Sequence, residues 1–435
     1  MVQPDDLIVE HLTSTPTLLT PYNKPHKRHL YDWLSSKVGT YLKGGNPDTI
    51  LLLGIRGVGK TTILAQLYFE ALKEVGPNGV LYLSLDRLRV LGLEMLEVVE
   101  AYKRLVRPEK AVLLLDEVQY EKDWDLKIKL LHDERRFFII ATGSSAIKLR
   151  ESPDLARRAL HRELFPMTFR EYHHLKTGRE LPELMGRIMR GEEISMPPVM
   201  EDVETYVRAG AMPLALEMEE WEVYERLTAM LDRVVYRDLR EVHEFDAETL
   251  DRAFDLLHLL ATPKGERFSY ERLSKTLGLA KGTVMKLVDA LEKAGLVQRI
   301  PPCGSPAKAV RKSPKIKFLA VPIKSALLFS SGSNLNRKDV FASLLEDVVA
   351  FYLFLLSKSG NGRLCYEPGR GGADFVLELN GERAVVEVGL GKVRKDQVER
   401  SMERLGAERG IVLGERYEIS ERVAFYPWKV FVAGF

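Results

Sequence analysis

Apolar residues fall along this chain in two patterns: short unbroken runs and stripes at helical spacing. The unbroken runs come early, at Ile50–Leu53, Val80–Leu83, Ala111–Leu115 and Phe137–Ala141, with Ala159–Phe165 as a less regular fifth. Such runs predict strands buried on both faces of a parallel sheet. Between them, Leu30, Leu34, Val38 and Leu42 predict a helix over 27–42, closed by Gly44-Gly45-Asn46-Pro47. Further helices are predicted over 62–74 and about 94–105. Strand–helix alternation of this kind makes an α/β fold. Residues 1–24, with Pro4, Pro16 and Pro21, read as an irregular arm, so the core spans 25–165.

The pattern changes after this core. Residues 166–250 are helical and strongly charged, and by position form a lid. From 251 to 318 a helix ends at Leu260, Ser269 caps a helix to Leu277, and Gly278-Leu279-Ala280 turns into a third from Lys281. That helix turns Val284, Leu287, Val288 and Leu291 inward, and a strand starts near Gly295, giving helix-turn-helix plus wing. The Gly/Ser/Asn-rich stretch Ser325–Asp339 marks a linker, placed at 319–340. The last segment, 341–435, opens on an apolar helix. Strands at Ala373–Leu379 and Arg383–Val388 then flank Asn380-Gly381, a strong hairpin signal.

Composition narrows the classes. A chain of 435 residues holds two to four domains, and a net charge of +2 confines any nucleic-acid surface to a local patch. Charged residues make up 29% while Asn and Gln number only twelve, a heat-adapted balance that suggests a thermophilic source. Cys303 and Cys365 lack zinc spacing and are too few for a disulfide framework, which points to a reducing cytoplasm. Residues 1–20 lack signal-peptide character. The apolar run Val348–Leu356 is too short for a bilayer, so no membrane partner is expected.

The chemistry centres on Gly54–Thr61, a complete G-x-x-x-x-G-K-[ST] loop between the first strand and a helix. Gly54, Gly57 and Gly59 let backbone N–H groups of Arg56, Val58 and their neighbours turn toward phosphate. Lys60 would reach the β- and γ-phosphates of ATP, Thr61 would hold Mg²⁺, and Thr62 continues the helix start. Asp116 and Glu117 end the third strand, where Asp116 would hold Mg²⁺ through water and Glu117 would polarise the attacking water. Thr142 is the first choice for contacting the γ-phosphate or that water; Ser144 and Ser145 stand behind it or cap the next helix. Arg157 and Arg158 could stabilise charge on a neighbouring subunit's nucleotide, which would make a homo-oligomer.

These motifs, with Val118-Gln119, Trp124, Thr142–Ser145, Leu155–Arg158 and Pro166–Tyr172, resemble the prokaryotic AAA-type ATPases common in archaea that carry an uncharacterised C-terminal region, the AAA_14 plus DUF4143 architecture. The resemblance covers about residues 45–175 and implies a P-loop NTPase sheet with an extra strand between the phosphate-loop and Asp-Glu strands. Arg157 departs from it, standing where the family usually has Gly; Arg158 keeps the match. Tyr206–Pro213 and Val234–Leu239 resemble later elements of the family, placing Arg208 or Arg237 within possible reach of the γ-phosphate.

Two further sites are read from the second half. The third helix exposes Lys281, Thr283 and Lys286 near its start, the end that enters a major groove. The wing adds Lys308, Arg311, Lys312, Lys315 and Lys317, a local basic cluster suited to duplex DNA phosphates. In the last domain, Asp374 and Glu387 on successive strands, with Glu346 on the preceding helix, resemble the restriction-endonuclease-like fold. There a carboxylate set holds a metal and a lysine follows the Glu. Here Glu387-Val388-Gly389 lacks that lysine; Lys392 or Lys395 could replace it, and nuclease activity is read as lost. The resulting expectation is a cytoplasmic ATPase that binds or remodels duplex or branched DNA. The alternatives are a nucleotide-controlled switch acting on protein partners and an ATP-dependent nuclease.

Overall fold

A computed structural model describes residues 3–143, 155, 157–197, 200–239, 245–263, 268–304, 312–369, 371–391 and 393–435. The chain divides into two compact units, Met1–Phe165 and Pro166–Phe435.

The first unit is a five-stranded parallel sheet: β1 (Thr49–Leu53), β2 (Val80–Ser84), β3 (Ala111–Asp116), β4 (Phe137–Gly143) and β5 (Ala159–Glu163), in the order β2-β3-β4-β1-β5. β4 thus separates the phosphate-loop strand from the Asp-Glu strand, as the resemblance implied. β1, β3 and β4 are buried along their whole length, which is why they carry unbroken apolar runs. Their flanking helices are α2 (His29–Leu42), α3 (Lys60–Val75), α4 (Leu85–Leu91), α5 (Met95–Val106) and α6 (Trp124–Asp133). The expected arm is instead a helix, α1 (Pro4–Leu19). Pro4 sits at its first turn, where no N–H is needed, and Leu7, Ile8, His11, Thr15 and Leu19 form its buried face. Pro16 lies in its last part, so the proline signal misled there.

In the second unit, α7 (Tyr270–Leu277) and α8 (Lys281–Lys293) lead into the antiparallel pair β6 (Val297–Ile300) and β7 (Lys315–Phe318), the expected helix-turn-helix and wing order. Ser269 caps α7, its side chain accepting from Arg272 N. The expected linker is not one: α9 (Val321–Ser330) is buried along most of its length and packs on the helix Glu220–Arg233. Its apolar side chains outweigh the Gly/Ser signal that follows them. Nor does 166–250 stand as a separate lid. Phe169 and Tyr172 of the Pro166–Tyr172 motif pack on Tyr206, whose hydroxyl donates to Met167 O (2.7 Å). Tyr352 on α10 (Lys338–Ser359) donates in turn to the Tyr206 hydroxyl (2.9 Å), so this segment shares a core with the last domain.

That domain is a six-stranded mixed sheet whose first three strands, β8 (Arg363–Cys365), β9 (Phe375–Leu379) and β10 (Glu382–Val388), run antiparallel. Asn380 (φ 52°) and Gly381 (φ 89°) make the expected hairpin turn. β10 then pairs in parallel with Arg409–Gly414 across the helix Lys395–Leu405. α10 is long and apolar enough to cross a membrane, against the shorter run read from sequence, but 61% of its apolar window is buried inside the fold. Cys303 and Cys365, read from sequence as too few for a disulfide framework, form a disulfide between the end of β6 and β8. Backbone pairing of Cys303 N with Tyr366 O (2.8 Å) brings them together, a contact that spacing in sequence could not reveal.

Candidate nucleotide site

The phosphate loop occupies the crevice beyond the C-terminal end of β1, where ligands of open α/β sheets bind. Gly57 (φ 75°) and Gly59 (φ 104°) adopt left-handed backbone that other residues rarely take. A Cβ on Gly54 would lie 2.5 Å from Leu164 O. Val58 is fully buried beneath the loop, Gly57 is exposed, and Arg56 reaches the Tyr120 hydroxyl (3.0 Å). Lys60, 5% exposed, donates to Gly54 O (2.8 Å) and Ile55 O (3.1 Å), holding its ammonium inside the loop. It opens α3, so the positive end of that helix faces the same space; Thr61 and Thr62 follow, both half-buried.

Asp116 gathers the other predicted residues. Its Oδ2 accepts from Thr61 Oγ1 (2.7 Å) and from the Tyr82 hydroxyl (3.1 Å), and its Oδ1 accepts from Thr142 Oγ1. Burial pushes the Asp116 carboxyl above the usual range, with the bonds from Thr142 and Thr61 pulling against it. Thr142 also accepts from Glu117 N (3.0 Å), and Glu117 itself stands in left-handed backbone (φ 57°). A non-glycine residue in that region is strained and is held there by its surroundings. Gln119 Nε2 donates to the Glu117 carboxylate. The paired Thr61 hydroxyl and Asp116 carboxylate are hard oxygen donors side by side, a set that fits Mg²⁺.

Arg158 does not join this site within the chain. The β1–β5 register runs from Thr49 opposite Ala159 to Leu53 opposite Glu163, so Arg158 lies at the far edge of the sheet, roughly 15 Å along the strands. There it pairs with Asp133 (3.1 Å). Ser144 and Ser145 lie outside the described residues. Three contributors were missed. Buried Arg28 donates to Val58 O (3.0 Å) and Phe165 O (2.8 Å), clamping the loop from a segment that precedes it. Tyr82 and Gln119 orient the two acids. No spacing rule links any of them to the loop, although Gln119 follows the acids directly.

In the second unit, Lys281 and Lys286 are exposed on α8 and Thr283 is half-buried; Lys281 is ion-paired with Glu271. Lys312 is exposed, while Lys308 and Arg311 lie outside the described residues. Lys315 and Lys317 do not belong to a basic wing surface, because both point inward to acids of the last domain. Arg208 is tied bidentately to Glu220 (2.9 and 2.9 Å), which occupies it within its own unit. Glu346 pairs with Lys315 and Lys317; burial alone would raise its carboxyl, but the two ammonium groups hold it down at about 2. Glu387 is pushed up to about 9 by burial and by the charge of Asp374. Lys392 lies outside the described residues, and Lys395 is exposed near Glu399.

Residues 46–173 match the AAA domain family, and residues 200–334 match a domain of unknown function, DUF8612, rather than the DUF4143 region expected. The uncharacterised protein MJ1637 of Methanocaldococcus jannaschii is 49% identical over 448 residues, covering 99% of this chain and 94% of the relative. An uncharacterised protein of Haemophilus influenzae is 22% identical over 263 residues, covering 57% and 60%. Among solved structures, the Aeropyrum pernix ORC1 protein in complex with DNA is 16% identical, covers 71% of this chain and 94% of its own, and gives a TM-score of 0.34. AMPPCP-bound DnaA from Aquifex aeolicus is 16% identical, covers 61% and 89%, and gives 0.30. By its near full-length identity to MJ1637, with an AAA domain built on the phosphate loop, the chain belongs to the MJ1637 family of AAA-domain proteins.

Proposed function

We propose that this chain binds ATP with Mg²⁺ at Gly54–Thr62, hydrolyses it, and uses the cycle to bind or remodel duplex or branched DNA. One observation carries the hydrolytic part: Thr61, Asp116, Thr142 and Glu117 form one hydrogen-bonded set beside the loop. Lys60 and the loop amides would take the β- and γ-phosphates. Mg²⁺ at Thr61 and Asp116 would neutralise phosphate charge when bound. Glu117 would accept the proton of the attacking water, with Gln119 fixing its carboxylate and Thr142 fixing its backbone. Arg158, paired with Asp133 in its own chain, would serve a neighbouring copy's nucleotide in this reading.

The DNA part rests on the exposed first turns of α8, where Lys281 and Lys286 face solvent. A second reading has its own support. With Lys315 and Lys317 turned inward, the wing strand offers less basic surface than its sequence suggests. That favours a nucleotide-controlled switch acting on protein partners.

ATP hydrolysis with and without duplex and branched DNA, at two salt concentrations, separates the two. DNA-stimulated turnover that is lost in Glu117→Gln and weakened in Lys286→Ala is expected. Each phosphate contact removed should lower the salt slope of binding by about 1. Stable ATP binding without turnover, and without salt-sensitive DNA affinity, would refute the first reading and leave the switch.

A further inference from the structure

Asp374 and Glu387 line a half-open cavity of about 780 Å³ whose walls include Lys315 and Tyr366, and Glu346 pairs with the same Lys315 from the helix α10. Carboxylates from a helix and two successive strands are the frame on which a fold of this kind holds a divalent cation. The residues present do not fit one. Lys315 Nζ lies 3.4 Å from Glu346 Oε1, 3.4 Å from Asp374 Oδ1 and 3.3 Å from Asp374 O. Lys317, 1% exposed, continues the row at 2.9 Å from Glu346 and 3.3 Å from Asp347, and Lys324 closes it at 3.0 Å from Asp347. Asp374, Glu346 and Asp347 alternate with Lys315, Lys317 and Lys324, so these six charges cancel without a metal ion. Glu387 is 5% exposed, lines the cavity, and leaves its Oε1 buried without a hydrogen-bond partner. Among the described residues, no three His, Cys, Asp or Glu side chains gather on a cation position as they stand, with Lys315 seated between Glu346 and Asp374.

We propose that Lys315 takes the place of the metal ion, so that the former cation centre docks the wing strand β7 onto the last domain instead of cleaving phosphodiesters. The sequence around Glu387 lacks a lysine because the ammonium arrives from another part of the fold. A second latch lies nearby: the Cys303–Cys365 bridge ties the end of β6 to β8, and the Tyr366 hydroxyl donates to Ser313 O (2.7 Å) just before β7. Held at both ends, the β6–β7 pair and the C-terminal sheet move as one body. This inference is independent of the nucleotide reading.

The test uses the full chain without nucleotide, in an Asp116→Asn background that removes the carboxylate beside the phosphate loop, with Mn²⁺ counted by electron paramagnetic resonance. Wild-type Lys315 protein and Asp374→Asn should bind the same number of ions. Lys315→Met should gain one ion per chain, and adding Asp374→Asn should remove it. One ion already bound with Lys315 in place, and weakened at least tenfold by Asp374→Asn, would overturn the proposal. So would a folded Lys315→Met that gains none. If Lys315→Met does not fold alone, refolding with Mn²⁺ decides: recovery of native circular dichroism in Mn²⁺ supports the plug, and failure in both conditions refutes it.

Discussion

Thr142→Val deletes one hydroxyl and keeps the side-chain shape, and the structure says what that hydroxyl holds. It donates to the buried Asp116 carboxylate and accepts from Glu117 N (3.0 Å). A bond to a charged group contributes about 1.5–3 kcal/mol and a neutral one about 1 kcal/mol, so about 3 kcal/mol is lost in total. Because Asp116 is only 4% exposed, water does not replace the missing donor. That loss should appear as stability: in a unit of this size roughly 2–4 °C of Tm follows each kcal/mol, so a fall of about 6 °C or more is expected. A separate effect bears on chemistry. Without its tether the strained backbone of Glu117 would relax, and on the proposed mechanism its carboxylate would leave the line of the attacking water. A drop of about 10–100-fold in kcat, equivalent to about 1.4–2.7 kcal/mol, is expected from steady-state ATP hydrolysis. KM for ATP should change little, because Gly54–Thr61 keeps its own contacts. Thr142→Ser retains the hydroxyl and should recover most of kcat. A folded Thr142→Val whose kcat stays within twofold of wild type would refute the assignment, as would a loss carried entirely by KM.

Arg28→Met should weaken ATP binding more than turnover, since the clamp acts on Val58 O and Phe165 O rather than on the acids; equilibrium binding of a fluorescent ATP analogue reads it. Reduction of Cys303–Cys365, which closes a loop across 62 positions, should cost up to about 4 kcal/mol by chain entropy and lower the Tm of the second unit, measured with and without reductant. Glu387 has its folded pKa raised to about 9, above its unfolded value, so its contribution to stability is full below the unfolded pKa and is lost as pH rises through about 9. Glu387→Gln mimics the neutral acid, so its Tm relative to wild type should rise between pH 5 and pH 9. A flat difference would show that the carboxyl is already ionised.

What the sequence made legible was whatever depends on neighbours in the chain. Gly54–Thr61 is a local constellation, and Asp116-Glu117 closes a strand, so loop, acids and sheet could be read together. The buried runs gave a parallel sheet because both faces are covered, and Asn380-Gly381 gave a hairpin because both positions need left-handed backbone. The failures share one cause, which is that charge and proline were judged without a partner. Pro16 read as a breaker although it sits late in a helix whose buried face Leu7, Ile8, His11 and Leu19 define. Lys315 and Lys317 read as a basic surface because their counter-ions Glu346, Asp347 and Asp374 lie about 30 to 60 positions away. Distance along the chain likewise hid Arg28 from Phe165, 137 positions on, and Cys303 from Cys365, 62 positions on. For the proposed DNA contact this changes the physics of recognition. Charge spent inside the fold cannot release counterions from DNA, so of the predicted cations that are described, Lys281, Lys286 and Lys312 stay exposed to set the expected salt slope. Of these Lys281 is already shared with Glu271, and a slope larger than these few cations can supply would mean that the contact lies elsewhere on the chain.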